Sequence, residues 1–494
     1  LDSYNWADFG ALAPVLVLVF GASVLLISEV FLTSPDRRYQ PALSIALASV
    51  AGFFAWNQIW MEPRDLFGGF ARLDPFGAFA ALIICFSVAM TSLFAASHLK
   101  VLGAERGEFH ALAHLAGAGM ILLAETTDLV TLFISLEVMS LATYALTSWL
   151  RQGPRFSEAA LKYFVLGSFS SAIFLYGASL AYGAAGSTRF ADIGLAATSA
   201  NGVPPLMIIA IALILSGFFF KVAAVPFHTW APDVYDGAPT TVTGFMAAGV
   251  KVAAFAAVVR TLYVAFGDKS VALGHGWATA VSAVAALTMI GGNLLAVAQR
   301  SVKRMLAYSS IAHAGYLLVG VVAGADTAYR PAAVQATLFY LVGYISSALG
   351  AFAIVAALER RDGPVADDDS RYDGLAQRRP ALALAMAIFM LSLAGIPPTI
   401  GFWGKLYVFQ AALQANLIGL TVLGVLTSVM GLYYYLRVVV IMYMRPSAEG
   451  AVTPPRMAPM TAGLAIAAGM TVLFGIGPGL LGTIAQQAAK TLGQ

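Results

Sequence analysis

Apolar runs of about twenty residues, separated by short joints of charged residues, Gly or Pro, recur along almost the whole chain. Each is close to the roughly 20 residues that a helix needs to cross about 30 Å of hydrocarbon. Backbone groups in lipid must be satisfied within their own segment, so runs of this length predict transmembrane helices. The pattern places them near residues 10–32, 41–60, 75–97, 109–125, 127–150, 158–183, 204–226, 240–266, 275–297, 302–324, 331–357, 380–416, 417–444 and 459–482, about fourteen in all. The opening stretch LDSYNWADFGALAPV lacks the basic n-region of a cleavable leader and is read as part of the first helix. The expected class is an all-α polytopic membrane protein, a single membrane domain over residues 1–494.

Composition removes the alternatives. Sixty per cent of the 494 residues are hydrophobic and 11% are charged, with a mean hydropathy of +0.81, whereas a soluble domain carries about a quarter charged residues. No sizeable aqueous domain fits, so function is expected inside the bilayer, with lipid around it. Cys85 is the only cysteine, which excludes an internal disulfide and a cysteine metal site. Redox chemistry by this chain alone is not expected.

Charge orients the spans. Sixteen Lys and Arg fall in the loops after odd-numbered spans and six in the remaining loops and termini, which places the first set in the cytoplasm and both termini outside. The net charge of +3 is explained by these arginines, and no nucleic-acid partner is expected. The segment ERRDGPVADDDSRYDGLAQRRP, residues 359–380, has mixed signs and reads as a solvated loop.

Six basic residues remain within spans: Lys162, Lys221, Lys251, Arg260, Lys405 and Arg437. Each requires a polar partner, water or a route to the interface. Arg260 and Arg437 lie near span ends and are expected to snorkel; Lys162 is open to either reading. Lys251 is central in its span, and Lys221 and Lys405 lie beside breaks, so snorkelling does not serve them. Glu137, in FISLEVMSLATYAL, is the one acid well inside a span and the natural counter-charge. A buried Lys–Glu pair has mutually dependent proton affinities, since desolvation disfavours both charges and attraction restores them. His228 and His313 supply intermediate proton stations, although a histidine merely bonded to a backbone carbonyl is the plainer reading for His313 and His114.

The breaks themselves point to a polar interior. In FFFKVAAVPFHTWAPDVYDGAPTTV, Pro226 ends the helix just after Lys221, and in LAGIPPTIGFWGKLYVF, Pro397 and Pro398 interrupt the span just before Lys405. Freed carbonyls at membrane depth are tolerated only beside protein or water. The interrupted spans are the seventh and twelfth, five apart, as in transporters built from inverted repeats. Lysine precedes the prolines in one and follows them in the other, which makes the match approximate. The expected division is 1–108 for helices 1–3, 109–266 for a first five-helix repeat (spans 4–8), 275–444 for a second (spans 9–13), and 445–494 for helix 14.

FKVAAVPFHTWAPDVYDGAPTTVTGFMAAGVKVAAFAAVVR, SVKRMLAYSSIAHAGY and LAGIPPTIGFWGKLYVF together resemble the antiporter-like membrane subunits of proton-pumping NADH-quinone oxidoreductase, respiratory complex I, and subunit N among them. Lys251 and PDVYDGAP favour N over the sibling subunits L and M. The resemblance implies a Glu–Lys pair at Glu137 and Lys221, communicating with Lys251 and Lys405 along a hydrated axis, and a further family lysine at Lys162. It implies a proton-translocating, non-redox subunit of the bacterial inner membrane. Its partners would be antiporter-like subunit M and the small membrane subunits. No cofactor is expected on this chain; FMN, iron–sulfur clusters, NADH and quinone would belong to other subunits. The alternatives are a cation/proton antiporter subunit of the multisubunit type and a structural spacer whose buried pairs carry nothing.

Overall fold

The computed structural model describes residues 6–31, 39–150, 153–197, 203–267, 276–359, 369–447 and 457–492. Long apolar helices dominate: α1 (Ala13–Phe31), α2 (Tyr39–Gln58), α3 (Pro75–Leu102), α4 (Gly107–Glu125), α5 (Leu129–Thr147), α6 (Pro154–Ala185) and α7 (Pro205–Val222). A short helix, α8 (Trp230–Gly237), precedes α9 (Thr240–Ala265), α10 (Gly276–Val297), α11 (Val302–Ala323) and α12 (Arg330–Leu358). Two half-length helices, α13 (Pro380–Ala394) and α14 (Ile400–Gln414), precede α15 (Ile418–Met444), α16 (Ala458–Ile476) and α17 (Gly479–Ala489). Among the described residues thirteen helices are long and apolar enough to span a bilayer, and α13 with α14 makes up one more broken crossing. The chain is thus an all-α polytopic membrane protein, as its hydropathy predicts.

Apolar burial alone does not drive helices together in lipid, so close backbone approach carries much of the packing. Gly292 on α10 shows how close: a Cβ there would fall 2.5 Å from the Ala312 nitrogen of α11. Helix α9 lies deepest, its apolar stretch wholly enclosed, and packs against α3, α4, α7 and α12. The outward apolar faces, such as Leu161, Phe169 and Tyr176 along α6, are exposed and belong in lipid.

The two membrane faces differ. One carries an antiparallel hairpin, β1 (Arg64–Leu66) with β2 (Ala71–Leu73), a local feature that helical periodicity did not predict. Its connecting segment accepts from Thr127 N at Phe70 O, 3.2 Å, and Thr127 O in turn accepts from Phe190 N at 2.9 Å, which ties three loops together. On the opposite face Glu359, directly after α12, accepts from Thr240 Oγ1 at 2.7 Å and stands 2.9 Å from His98 Nε2. This corrects the reading of 359–380 as wholly solvated at its first residue. Burial pushes the Glu359 carboxyl up, but the Lys303 charge and the bonds from His98 and Thr240 outweigh it and hold the group well below the usual carboxylate range. The middle of that loop, 360–368, lies outside the described residues.

Candidate functional site

The site starts on α5, where Glu137, Ser140 and Tyr144 share one helical face through their i, i+3 and i+7 spacing. Lys221, in the last turn of α7 and 4% exposed, donates from Nζ to Ser140 Oγ at 2.8 Å and to Tyr144 Oη at 3.5 Å. Its ammonium also stands 5.6 Å from the centre of the Tyr144 ring. Glu137 is half-buried, and its Oε1 is enclosed without a hydrogen bond. The contact ion pair expected with Lys221 does not form. Ser140 takes the near position on the same face, and Glu137 acts on Lys221 only at longer range.

The break after Lys221 is closed by side chains. Ala223 takes the left-handed conformation at φ 57° and its N donates to Phe220 O at 3.0 Å, a carbonyl that also accepts from Trp230 Nε1 at 3.0 Å, while Val225 N donates to Thr288 Oγ1 at 2.9 Å. These bonds are the protein partners that a membrane-depth break requires. His228 lies in the turn before α8, half-buried, with Nδ1 enclosed and unpartnered. Among the described residues no hydrogen bond joins it to a buried lysine.

Lys251 follows a π-helical turn at Met246–Val250 within α9, a distortion that is frequent at functional positions. It is 2% exposed. Its Nζ donates to the Ser310 carbonyl and, at 2.6 Å, to Ser310 Oγ, which also accepts from Tyr344 Oη at 2.9 Å. One turn on along α11, His313 lies between Tyr340 Oη at 2.7 Å from Nδ1 and Tyr435 Oη at 3.0 Å from Nε2. His313 is therefore held by two hydroxyls, not by a backbone carbonyl. A small cavity lined by His313, Tyr340, Tyr344, Ser392 and Gly404 adjoins it, with room for roughly one water molecule.

Lys405 completes the row. Its Nζ donates to Ala394 O at 2.9 Å and Ser428 Oγ at 2.8 Å and lies 5.3 Å from the Tyr316 ring centre. Ala394 is the last residue of α13, so Lys405 reaches back to the C-terminal end of the first half-helix, where a cation is favoured. Lys221 occupies the corresponding end of α7. Unlike Lys405, Lys221 donates to hydroxyls of α5 and not to the carbonyls of that end.

From Lys251 the polar groups run through Ser310 and Tyr344 to His313, whose ring centre is 5.0 Å from that of Tyr344 and which touches both Tyr435 and Tyr316. Among the described residues no hydrogen bond joins this cluster to Lys405, which it meets only through the Tyr316 ring. Among the described residues no direct hydrogen bond links the Lys221 group to the Lys251 group. Aromatic rings lie between them, Tyr144 against Tyr163, Tyr163 on Trp230, and Trp230 against Tyr235, at 4.7, 4.8 and 5.9 Å.

Of the other basic residues, Lys162, open to either reading in the sequence, lies at the edge, and Arg260 departs from the expected snorkelling. Lys162 is outside the buried row, with 39% of its side chain exposed and pairs to Glu158 at 2.6 Å and Asp233 at 2.9 Å. Arg304 meets the same Asp233 at 2.9 Å. Partial burial pushes Asp233 up, but the Lys162 and Arg304 bonds hold it below its ordinary value. Arg260 does not snorkel. It is 1% exposed and forks onto Asp74 at 2.7 and 2.8 Å. A second acid, Glu125, is enclosed at the end of α4, where it is 1% exposed.

The hydroxyl partners were not singled out from sequence. Their signal is local: YSSIAHAGY places Ser309, His313 and Tyr316 on one face, and FYLVGY places Tyr340 and Tyr344 one turn apart.

Known proteins share this arrangement of helices. The family model described as NADH:quinone oxidoreductase/Mrp antiporter, TM, matches residues 126–431. NADH-quinone oxidoreductase subunit N of Myxococcus xanthus is 50% identical to this chain over the whole of both. A chain of respiratory complex I from Thermus thermophilus with bound aureothin superposes with a TM-score of 0.79 at 34% identity, covering 95% of this chain and 98% of that one. A chain of the Mrp complex from Dietzia sp. gives a TM-score of 0.84 at 23% identity over 98% of this chain and 97% of that one, a likeness of fold alone.

Proposed function

Since this chain belongs to the NADH-quinone oxidoreductase subunit N family, we propose that it carries protons across the bacterial inner membrane as an antiporter-like membrane-arm subunit of complex I. Its neighbours are the other membrane-arm subunits, including the M type. The observation that supports this reading is the row of sealed titratable groups, Lys221, Lys251, His313 and Lys405, each bonded to hydroxyls or carbonyls and, among the described residues, none to a carboxylate.

The chemistry follows from that bonding. An enclosed amine held by neutral partners exchanges a proton at lower cost than one locked in a contact ion pair, because no partner charge is stranded when it does so. Glu137 sets the balance at Lys221 from a distance. A shift that brings it closer favours the ammonium, and a shift away releases the proton toward Lys251. Water must bridge the aromatic stretch between these two lysines, since a polar contact this long otherwise transmits nothing. From Lys251 the hydroxyls of Ser310 and Tyr344 lead to the imidazole of His313, and the last step to Lys405, past the Tyr316 ring, again requires water. The excess of Lys and Arg in the loops opposite the hairpin supports an orientation with the hairpin face outside. Lys162 acts from the edge, through Asp233, and His228 from the turn beside the first break. The flavin, iron–sulfur and quinone chemistry that drives the movement belongs to other subunits. Moving one charge against the membrane costs about 2.3 kcal/mol per 100 mV, within reach of making or breaking a desolvated interaction.

Lys221→Ala tests the reading. In sealed vesicles the intact complex is expected to assemble at normal abundance and reduce quinone while translocating fewer protons per electron. Normal pumping at normal abundance would instead support a spacer. Sodium-dependent proton exchange without any NADH-quinone reductase partner would support the antiporter reading.

A further inference from the structure

A second group of ionisable side chains is sealed near the hairpin face, and the row described above does not use it. Arg260 forks onto Asp74, which is 1% exposed, and its Nε donates to Ala124 O at 2.9 Å. Phe76 covers the guanidinium at 5.3 Å. Glu125, the next residue after Ala124, is 1% exposed, and its Oε1 has no hydrogen-bond partner among the described residues. The three groups converge on Gly77. A Cβ there would lie 2.9 Å from Glu125 Cγ, 3.2 Å from Arg260 Nη2 and 3.2 Å from Asp74 Oδ1.

Charge counting leaves one carboxyl over. The Arg260 fork neutralises Asp74, whose Oδ1 also accepts from Gly77 N at 2.7 Å. A second carboxylate in the same enclosure would be an uncompensated buried charge, the costliest state available to it. A proton on Glu125 makes the triad neutral.

The triad is also placed between the row and water. Arg260 is nine residues beyond Lys251 on α9, about 13.5 Å along the axis. On the other side Asp74 Oδ2 is 3.9 Å from Nε of Arg72, whose side chain is 40% exposed and pairs with Asp65 of the hairpin at 3.4 Å. Thr261 Oγ1, beside Arg260, is enclosed and unpartnered as well.

We infer that Glu125 is a proton-carrying carboxyl at the hairpin end of the molecule, holding a proton beside the Arg260–Asp74 pair and releasing it to water at the hairpin. On release the Glu125 carboxylate draws one arm of the Arg260 fork from Asp74, and the one net negative charge that remains in the enclosure favours prompt reprotonation of Glu125. This rests on the proton-carrying reading of the lysine row.

The test compares Glu125→Gln with Lys251→Met in the whole complex, in sealed vesicles, with complex abundance measured alongside. Both are expected to assemble, with Glu125→Gln lowering the proton-to-electron ratio as far as Lys251→Met does and Glu125→Asp restoring it. Turnover-induced infrared difference spectra are expected to show the C=O stretch of a protonated carboxyl that vanishes in Glu125→Gln and shifts in Glu125→Asp. An unchanged ratio in Glu125→Gln with a lowered one in Lys251→Met overturns the role of Glu125 alone; unchanged ratios in both overturn the lysine row with it. Should Glu125→Gln fail to assemble, the band in Glu125→Asp decides, and its failure to shift overturns the assignment.

Discussion

Lys221, Lys251 and Lys405 were visible in the sequence because an amine inside an apolar run is expensive and stands out. Their partners were not visible, because each bond crosses to another helix: Lys221 to Ser140 of α5, Lys251 to Ser310 of α11, Lys405 to Ser428 of α15. A hydroxyl mid-span is ordinary and does not announce the amine that it serves. Glu137 was read as a contact partner from charge alone, which does not fix geometry. Arg260 was misread for a related reason: nearness to a span end suggests snorkelling, and only the fold brings Asp74 from 186 positions away. Arg260→Ala would strand Asp74 and is expected to cost about 3–5 kcal/mol, the usual loss for breaking a buried pair from one side. Reduced complex abundance and a lower unfolding temperature would show it. Arg260→Lys is expected to fall between, since an ammonium cannot reproduce the fork.

At the scale of elements, the prolines announced both breaks, whereas the way the breaks are closed was not legible. Trp230 Nε1 caps the Phe220 carbonyl at the first, and Lys405 itself caps Ala394 at the second. The π-helical turn before Lys251 has no sequence mark of its own. The second break also depends on a close crossing: a Cβ on Gly401 would fall 1.9 Å from the Ser392 carbonyl oxygen. That oxygen belongs to backbone and cannot swing aside, so Gly401→Val is expected to separate α13 from α14 and to cost at least the roughly 1–3 kcal/mol of an overpacked core. The check is the amount of assembled complex in membranes. Normal abundance and pumping would mean that the half-helices need no such contact.

At the scale of the molecule, the number of crossings and the helical class were legible because hydrocarbon thickness and backbone satisfaction leave few options. The hairpin escaped because it is short and outside the spans. Helix α9 is the whole-molecule feature that matters most. It is enclosed on every side and carries both Lys251 and Arg260, so it contacts the helices of Lys221 at one side and α12, beside the His313 cluster, at the other. The proposed route therefore has to pass through the middle of α9, and Lys251 is the group it cannot avoid. The most direct measurement is the proton-to-electron ratio of the intact complex carrying Lys251→Met, taken in sealed vesicles at matched quinone-reduction rates. The account predicts a lowered ratio at unchanged complex abundance; a ratio equal to that of the unsubstituted complex would contradict it.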